Sequence, residues 1–224
     1  MHIPDGFVDV QTSAIFAGLA AAGVAASLKG ARSQLDEKSA PLAGLTAVFI
    51  FAVQMLNFPV VAGTSGHLIG AALAAVLVGP WAATLALTVV LIMQAFLFAD
   101  GGLTALGLST FNMSIIAVWV GYGVFLTLRK FLPKSKPSIV IAAAIGALLS
   151  VPAAAVGFTI QYAMGATATF SVSTVFSAMV GTHLLIGIGE ALITGLTVSA
   201  VLASRSDLVY GWKGNKTQLE IRHG

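Results

Sequence analysis

The chain has 224 residues, of which 58% are hydrophobic and only 8% charged, with a formal net charge of +3 and a mean hydropathy of +0.97. Soluble domains carry roughly 25% charged residues, so this balance excludes a soluble fold. The apolar runs are long and continuous rather than alternating, which predicts an all-α, polytopic membrane protein and excludes a β-barrel; the lack of cysteine excludes disulfides, thiolate metal sites and cysteine nucleophiles.

Residues 1–11 precede the first apolar run and form a segment of their own. They hold Asp5 and Asp9 but no Lys or Arg, unlike a signal peptide. The bulky His2 favours retention of Met1, so a free terminal amine is expected. That amine, the amide nitrogen of His2 and Nδ1 of its ring can close two fused chelate rings on one metal ion. The amide holds such donors in a plane, which suits Ni(II) or Cu(II), with Co(II) possible, better than tetrahedral Zn(II) or oxygen-seeking Mg(II). Pro4-Asp5-Gly6 predicts a turn that folds Met1 and His2 back into the protein. Three nitrogens leave one corner of the plane open.

Seven apolar segments follow within residues 12–203, at about Thr12–Leu28, Leu42–Phe58, His67–Val78, Pro80–Phe98, Ser109–Leu128, Ile139–Ala163 and Val172–Ala203. Gly79-Pro80 separates the third from the fourth, Gly ending one helix and Pro starting the next. Reading both as one kinked helix would give six spans. With seven spans and the N-terminus outside, all 11 basic residues fall on the inner side: Lys29, Arg32 and Lys38, then Arg129, Lys130, Lys134 and Lys136, then Arg205, Lys213, Lys216 and Arg222. Six spans would divide them, so basic-residue placement selects seven, with the C-terminus inside. Asp5, Asp9 and Asp100 then form a mildly anionic outer face. Residues 204–224 are expected to be a loose cytoplasmic tail. No inverted repeat of the secondary-transporter kind is visible.

The open corner of the metal plane points to a second histidine. His67 follows Ala62-Gly63-Thr64-Ser65-Gly66, a small-residue loop at the outer mouth of the third segment. Irregular backbone at membrane depth requires protein or a cavity around it. Thr64 and Ser65 are candidates to orient the ring. The alternative is an interfacial histidine with its ring among lipid headgroups. Gln54, Asn57, Gln94, Asn112, Gln161, His183 and Glu190 also fall in or beside spans. Asn57, Gln94 and Asn112 are placed towards the outer half, either near the metal donors or in interhelical hydrogen bonds. His183 and Glu190 share one helix face but stand two turns apart, which favours a structural or partner-contact role over a paired catalytic one.

Met1-His2-Ile3-Pro4-Asp5-Gly6-Phe7 and Gly63-Thr64-Ser65-Gly66-His67 resemble the substrate-capture subunits of energy-coupling-factor transporters for nickel and cobalt, the CbiM/NikM type. Gly79-Pro80-Trp81-Ala82-Ala83, the run Phe98–Gly107 and Gly187–Thr194 match as well, so the resemblance covers about residues 1–203. It implies a seven-helix subunit with an external N-terminus. It also implies that Ni(II) or Co(II) is held by the Met1 amine, the His2 amide and ring, and the His67 ring.

The chain has no Gly-x-x-x-x-Gly-Lys-Ser/Thr loop to hold ATP. The resemblance supplies the missing energy source: a membrane scaffold subunit, cytoplasmic ATPases and often a small accessory membrane protein. The expected protein is therefore a transporter subunit in a bacterial or archaeal plasma membrane. It carries Ni(II) or Co(II) as cargo, has no cofactor, is embedded in the lipid bilayer and does not engage nucleic acid. Two other classes make opposed predictions. A channel or carrier acting alone would transport in vesicles without ATPases. An intramembrane metalloenzyme built on His67, His183 and Glu190 would lose activity on Glu190→Gln while still binding metal.

Overall fold

The computed structural model describes residues 1–32, 39–60 and 64–212. Lys38, Ala62, Gly63, Lys213, Lys216 and Arg222, used above, lie outside those residues. Among the described residues seven helices run in chain order: α1 Val10–Ala31, α2 Ser39–Gln54, α3 Ala71–Val78, α4 Pro80–Leu97, α5 Leu106–Phe131, α6 Lys136–Gly165 and α7 Val172–Ser204. The second segment stops being helical at Gln54, short of the expected Phe58. Phe58–Pro59 instead pairs antiparallel with Ser65–Gly66. The five helices α1, α4, α5, α6 and α7 are long and apolar enough to cross a membrane, and the chain is a multi-pass membrane protein.

The third segment differs most from expectation. Its helix starts at Ala71, not His67, and at eight residues it is about 12 Å long, far short of the roughly 30 Å hydrocarbon core. The stretch Thr64–Gly70 in front of it is non-helical. His67 stands at the end of the molecule that holds Met1, whereas Val76 and Leu77 reach the opposite end and meet Gly211 and Tyr210. Every residue of α3 is buried, because the other helices surround it: α4, α5, α6, α7 and α2 all pack against it. The broken backbone is thereby kept out of lipid, as its unpaired polar groups require.

Local sequence explains the other departures from regular helix. Pro152, inside α6, cannot donate to Leu148 O. That carbonyl instead faces Gly187 of α7, where a Cβ would lie 2.8 Å from it. Within α5, Phe111–Ile116 widens into a π-helical turn. It opens opposite Gly157, where a Cβ would lie 2.8 Å from Asn112 Oδ1. The sequence predicted a loose tail after residue 203, but its first part is packed. Tyr210 N–H donates to Leu77 O at 3.0 Å and Gly211 N–H to Val76 O at 2.9 Å. Arg129 Nη1 donates to Gly211 O at 2.7 Å, and Val209 is buried. The Tyr210 and Gly211 N–H groups satisfy carbonyls that the C-terminus of α3 cannot satisfy itself.

Polar residues of the spans join the apolar core inside, while many large apolar side chains face outward. Gln54, Gln94, Asn112, Gln161, His183 and Glu190 are buried, while Leu45, Val48, Phe96, Leu185, Ile188 and Leu192 are exposed.

Candidate metal site

The N-terminal segment is a buried strap, not a free end. Met1 and Ile3 are fully buried and His2 is only 4% exposed. The loop between α4 and α5 grips it. Gly102 N–H donates to Ile3 O at 2.8 Å, and Asp5 Oδ1 accepts from Thr104 N–H at 2.7 Å and from Thr104 Oγ1 at 2.5 Å. Those bonds hold the Asp5 carboxyl below its usual range. Gly101 has φ +93°, and a Cβ there would lie 3.1 Å from His2 Nδ1, so glycine is needed both for the turn and for the close approach of the ring. At the far end of the strap Asp9 N–H donates to Gly165 O at 2.8 Å. Its side chain caps α1 by accepting from Thr12 N–H at 2.7 Å.

Folded back this way, Met1 and His2 meet His67. The Met1 amine is in direct contact with His67 Nε2. The His2 and His67 rings stack with centroids 4.7 Å apart and planes inclined by 26°. His67 Nδ1 donates to Leu68 O at 2.8 Å, which fixes the proton on Nδ1 and leaves the lone pair on Nε2. The two residues face each other because the 64–70 stretch is tied down separately. Gln54 Nε2 donates to Ile69 O at 2.8 Å, and Glu190 accepts from Ile69 N–H and Gly70 N–H, each at 2.6 Å.

Burial also sets the charge state. Loss of solvation pulls the Met1 amine well below its ordinary value, against a smaller opposing pull from Asp100. The same cause, with the nearby amine charge adding to it, takes His2 down to about 2. The His2 ring is therefore neutral at pH 7, and burial favours the neutral form of the Met1 amine. His2 Nε2 lies 3.5 Å from Asp100 Oδ2; with the ring neutral this is an orienting contact rather than an ion pair. Burial raises Asp100 from its usual carboxyl range. A cavity of about 280 Å³ lined by His2, Asp5, Ser65 and Asp100 opens beside the strap.

The residues expected to surround the donors divide into near and far. Ser65 Oγ accepts from the His2 amide at 3.3 Å. Asn57 Nδ2 donates to Asp100 Oδ2 at 3.0 Å, so it reaches His2 through one intermediary. Thr64 is buried and contacts Met179 Sδ at 3.6 Å. Gln94 carries the carbonyl that accepts from Asp100 N–H at 3.1 Å; its side-chain amide has no hydrogen-bond partner among the described residues. Asn112 bonds Gln161 of α6 at 2.8 Å, an interhelical tie. His183 Nδ1 donates to Met179 O at 2.7 Å.

Sequence reasoning assigned Asp100 only to a diffuse anionic face. Its place beside His2 depends on the fold of the α4–α5 loop, where Ala99 and Gly101 both adopt positive φ; the Asp-Gly-Gly run was the available signal. Among the described residues no three His, Asp or Glu side chains gather as a metal cluster. The nitrogens gathered around His67 include a terminal amine, which is not a side chain.

The profile of the cobalt uptake substrate-specific transmembrane region matches residues 2–208. A cobalt transport protein of Sorangium cellulosum is 32% identical over 216 residues, covering 93% of this chain and 94% of that protein. A fused nickel transport protein of Rhodobacter capsulatus is 32% identical over 221 residues, 93% of this chain and 64% of that protein. The crystal structure of a truncated transition metal transporter superposes with a TM-score of 0.82 at 36% identity, over 91% of this chain and 99% of that one. This chain therefore belongs to the CbiM family of cobalt and nickel uptake proteins, as a transmembrane component.

Proposed function

We propose that this protein is the metal-capturing subunit of an energy-coupling-factor importer. It would take one Ni(II) or Co(II) ion from outside in a plane of four nitrogens: the Met1 amine, the His2 amide, His2 Nδ1 and His67 Nε2. The observation that carries this reading is the burial of the Met1 amine against His67 Nε2. An N-terminus with no task would stay solvated, because burying an amine without a strong partner costs several kcal/mol. The reading places the Met1 end outside and the Arg129, Lys136 and Arg205 end inside, in keeping with the basic-residue rule. Seven traverses follow if the Thr64–Val78 stretch counts as one. Energy would come from a scaffold subunit and ATPases, since the chain has no nucleotide-binding loop.

The test is a titration of untagged protein with Ni(II) and Co(II) across pH. In an exposed chelate, protons on the amine (about 7.7–8.0) and imidazole (about 6.5) compete with metal throughout the neutral range. In this site burial weakens that competition, and the His2 amide must still lose its proton. Affinity is expected to fall about tenfold per unit of acidification, and more steeply only in strong acid. Protonating either group there opposes both metal binding and the folded strap, because a base with a depressed folded value favours the unfolded state as pH falls. An affinity independent of pH would exclude the amide as a ligand.

Asp100 gives a second measurement. Asp100→Asn removes the carboxylate facing His2 Nε2 and is expected to weaken metal binding by about 10- to 100-fold with little change in melting temperature. Unchanged affinity would show that Gly101 and the strap alone orient the ring.

A further inference from the structure

The peptide group joining Leu68 to Ile69 is engaged at both ends. Its carbonyl oxygen accepts from His67 Nδ1 at 2.8 Å, and its N–H donates to Glu190 Oε2 at 2.6 Å. The other carboxylate oxygen of Glu190 accepts from Gly70 N–H at 2.6 Å. Glu190 comes from the middle of α7, is 2% exposed, and is 123 positions beyond His67 in sequence.

We infer that Glu190 is a positioning residue for metal capture: through one peptide group its carboxylate holds the His67 ring with Nδ1 protonated and Nε2 turned to the Met1 amine. This deepens the capture reading and rests on it. Hydrogen bonds in series polarise one another, so an N–H given to a carboxylate makes the carbonyl of the same peptide a stronger acceptor. A stronger acceptor at Nδ1 fixes the tautomer and makes Nε2 a better donor to metal, as a carboxylate bonded directly to a ligating histidine does. Two features keep the relay in register. Gln54 Nε2 holds the next carbonyl, Ile69 O, at 2.8 Å. Gly70, at φ +76°, brings its N–H round to the carboxylate, and a Cβ there would lie 2.8 Å from Ile50. Glu190 is thereby occupied by backbone donors, which removes it as the acid or base of a metalloenzyme.

The experiment compares wild type with Glu190→Gln and with a backbone ester at Ile69, which deletes that N–H, weakens Leu68 O as an acceptor and leaves every side chain in place. Glutamine offers one acceptor where the carboxylate offers two and sets an NH2 against the remaining N–H. Both variants are expected to bind Ni(II) about 10- to 100-fold more weakly. In metal-free protein, the nitrogen NMR signals of His67 should move from a single Nδ1-protonated tautomer towards a mixture. If Glu190→Gln does not fold, Glu190→Asp, which keeps the charge but draws the carboxylate back by one methylene, takes its place. Variants with weaker binding but an unchanged His67 signal would reduce Glu190 to a cap on α3 and overturn the inference. So would unchanged affinity in a protein whose wild type binds metal. A wild type that binds neither metal overturns the capture reading instead, and the metal-free signal then decides the relay by itself.

Discussion

Protein carrying one additional residue ahead of Met1, or an acetyl group on its amine, is expected to lose Ni(II) and Co(II) capture. Either change turns the amine into an amide without a basic lone pair, and the added atoms have no space, because Met1 is fully buried with its nitrogen against His67 Nε2. A loss on the order of a thousandfold, about 4 kcal/mol, is expected by calorimetry or by metal content after purification. A C-terminally tagged protein is the control, since residues 213–224 lie beyond the segment that packs on α3. Tight binding by the N-terminally extended form would exclude the amine as a ligand and end the planar-nitrogen reading.

Replacing His67 by Ala is expected to have the next largest effect, with a different signature. The Met1-His2 chelate survives, so Ni(II) should still bind, about 100-fold more weakly or worse, roughly 2.7 kcal/mol. Water would replace an imidazole nitrogen, the ligand field would weaken, and the visible absorption band should move to longer wavelength. The metal-free fold should be only moderately affected, because Gln54 and Glu190 bind the loop through Ile69 and Gly70 rather than through His67. Wild-type affinity with an unshifted band would remove His67 from the site. The two substitutions thus separate the donors: one removes the chelate's anchor, the other its closing corner.

The helices and the near pairing of Met1, His2 and His67 were legible because both rest on strong local signals. Long apolar runs have few alternatives to helix in a membrane. A histidine at position 2 brings two further nitrogens by covalent connection alone, so only His67 needed the fold to deliver it. The roles of Glu190, Asp100 and Gln54 were not legible. Each binds a backbone group or a ring far away in sequence, and no periodicity encodes which N–H a buried carboxylate will meet. Asn112, placed by depth near the donors, bonds Gln161 instead, because depth says nothing about rotation around a helix axis. The third segment was misjudged for a related reason. An apolar stretch reads as helix from its first residue, whereas His67–Gly70 stays non-helical, with Gln54 and Glu190 binding the backbone groups of Ile69 and Gly70 from outside.

Eight residues are too few to hold a helix in isolation, and α3 borrows its partners at both ends, from Glu190 at its start and from Tyr210 and Gly211 at its finish. Both lenders are synthesised after every other helix. During biogenesis the middle of the chain is therefore made before its partners, and a nascent protein lacking its last helix has only Gln54 to hold the 64–70 stretch, through Ile69 O. The shortest helix is thus the last to be completed, although it lies among the first half of the helices in chain order.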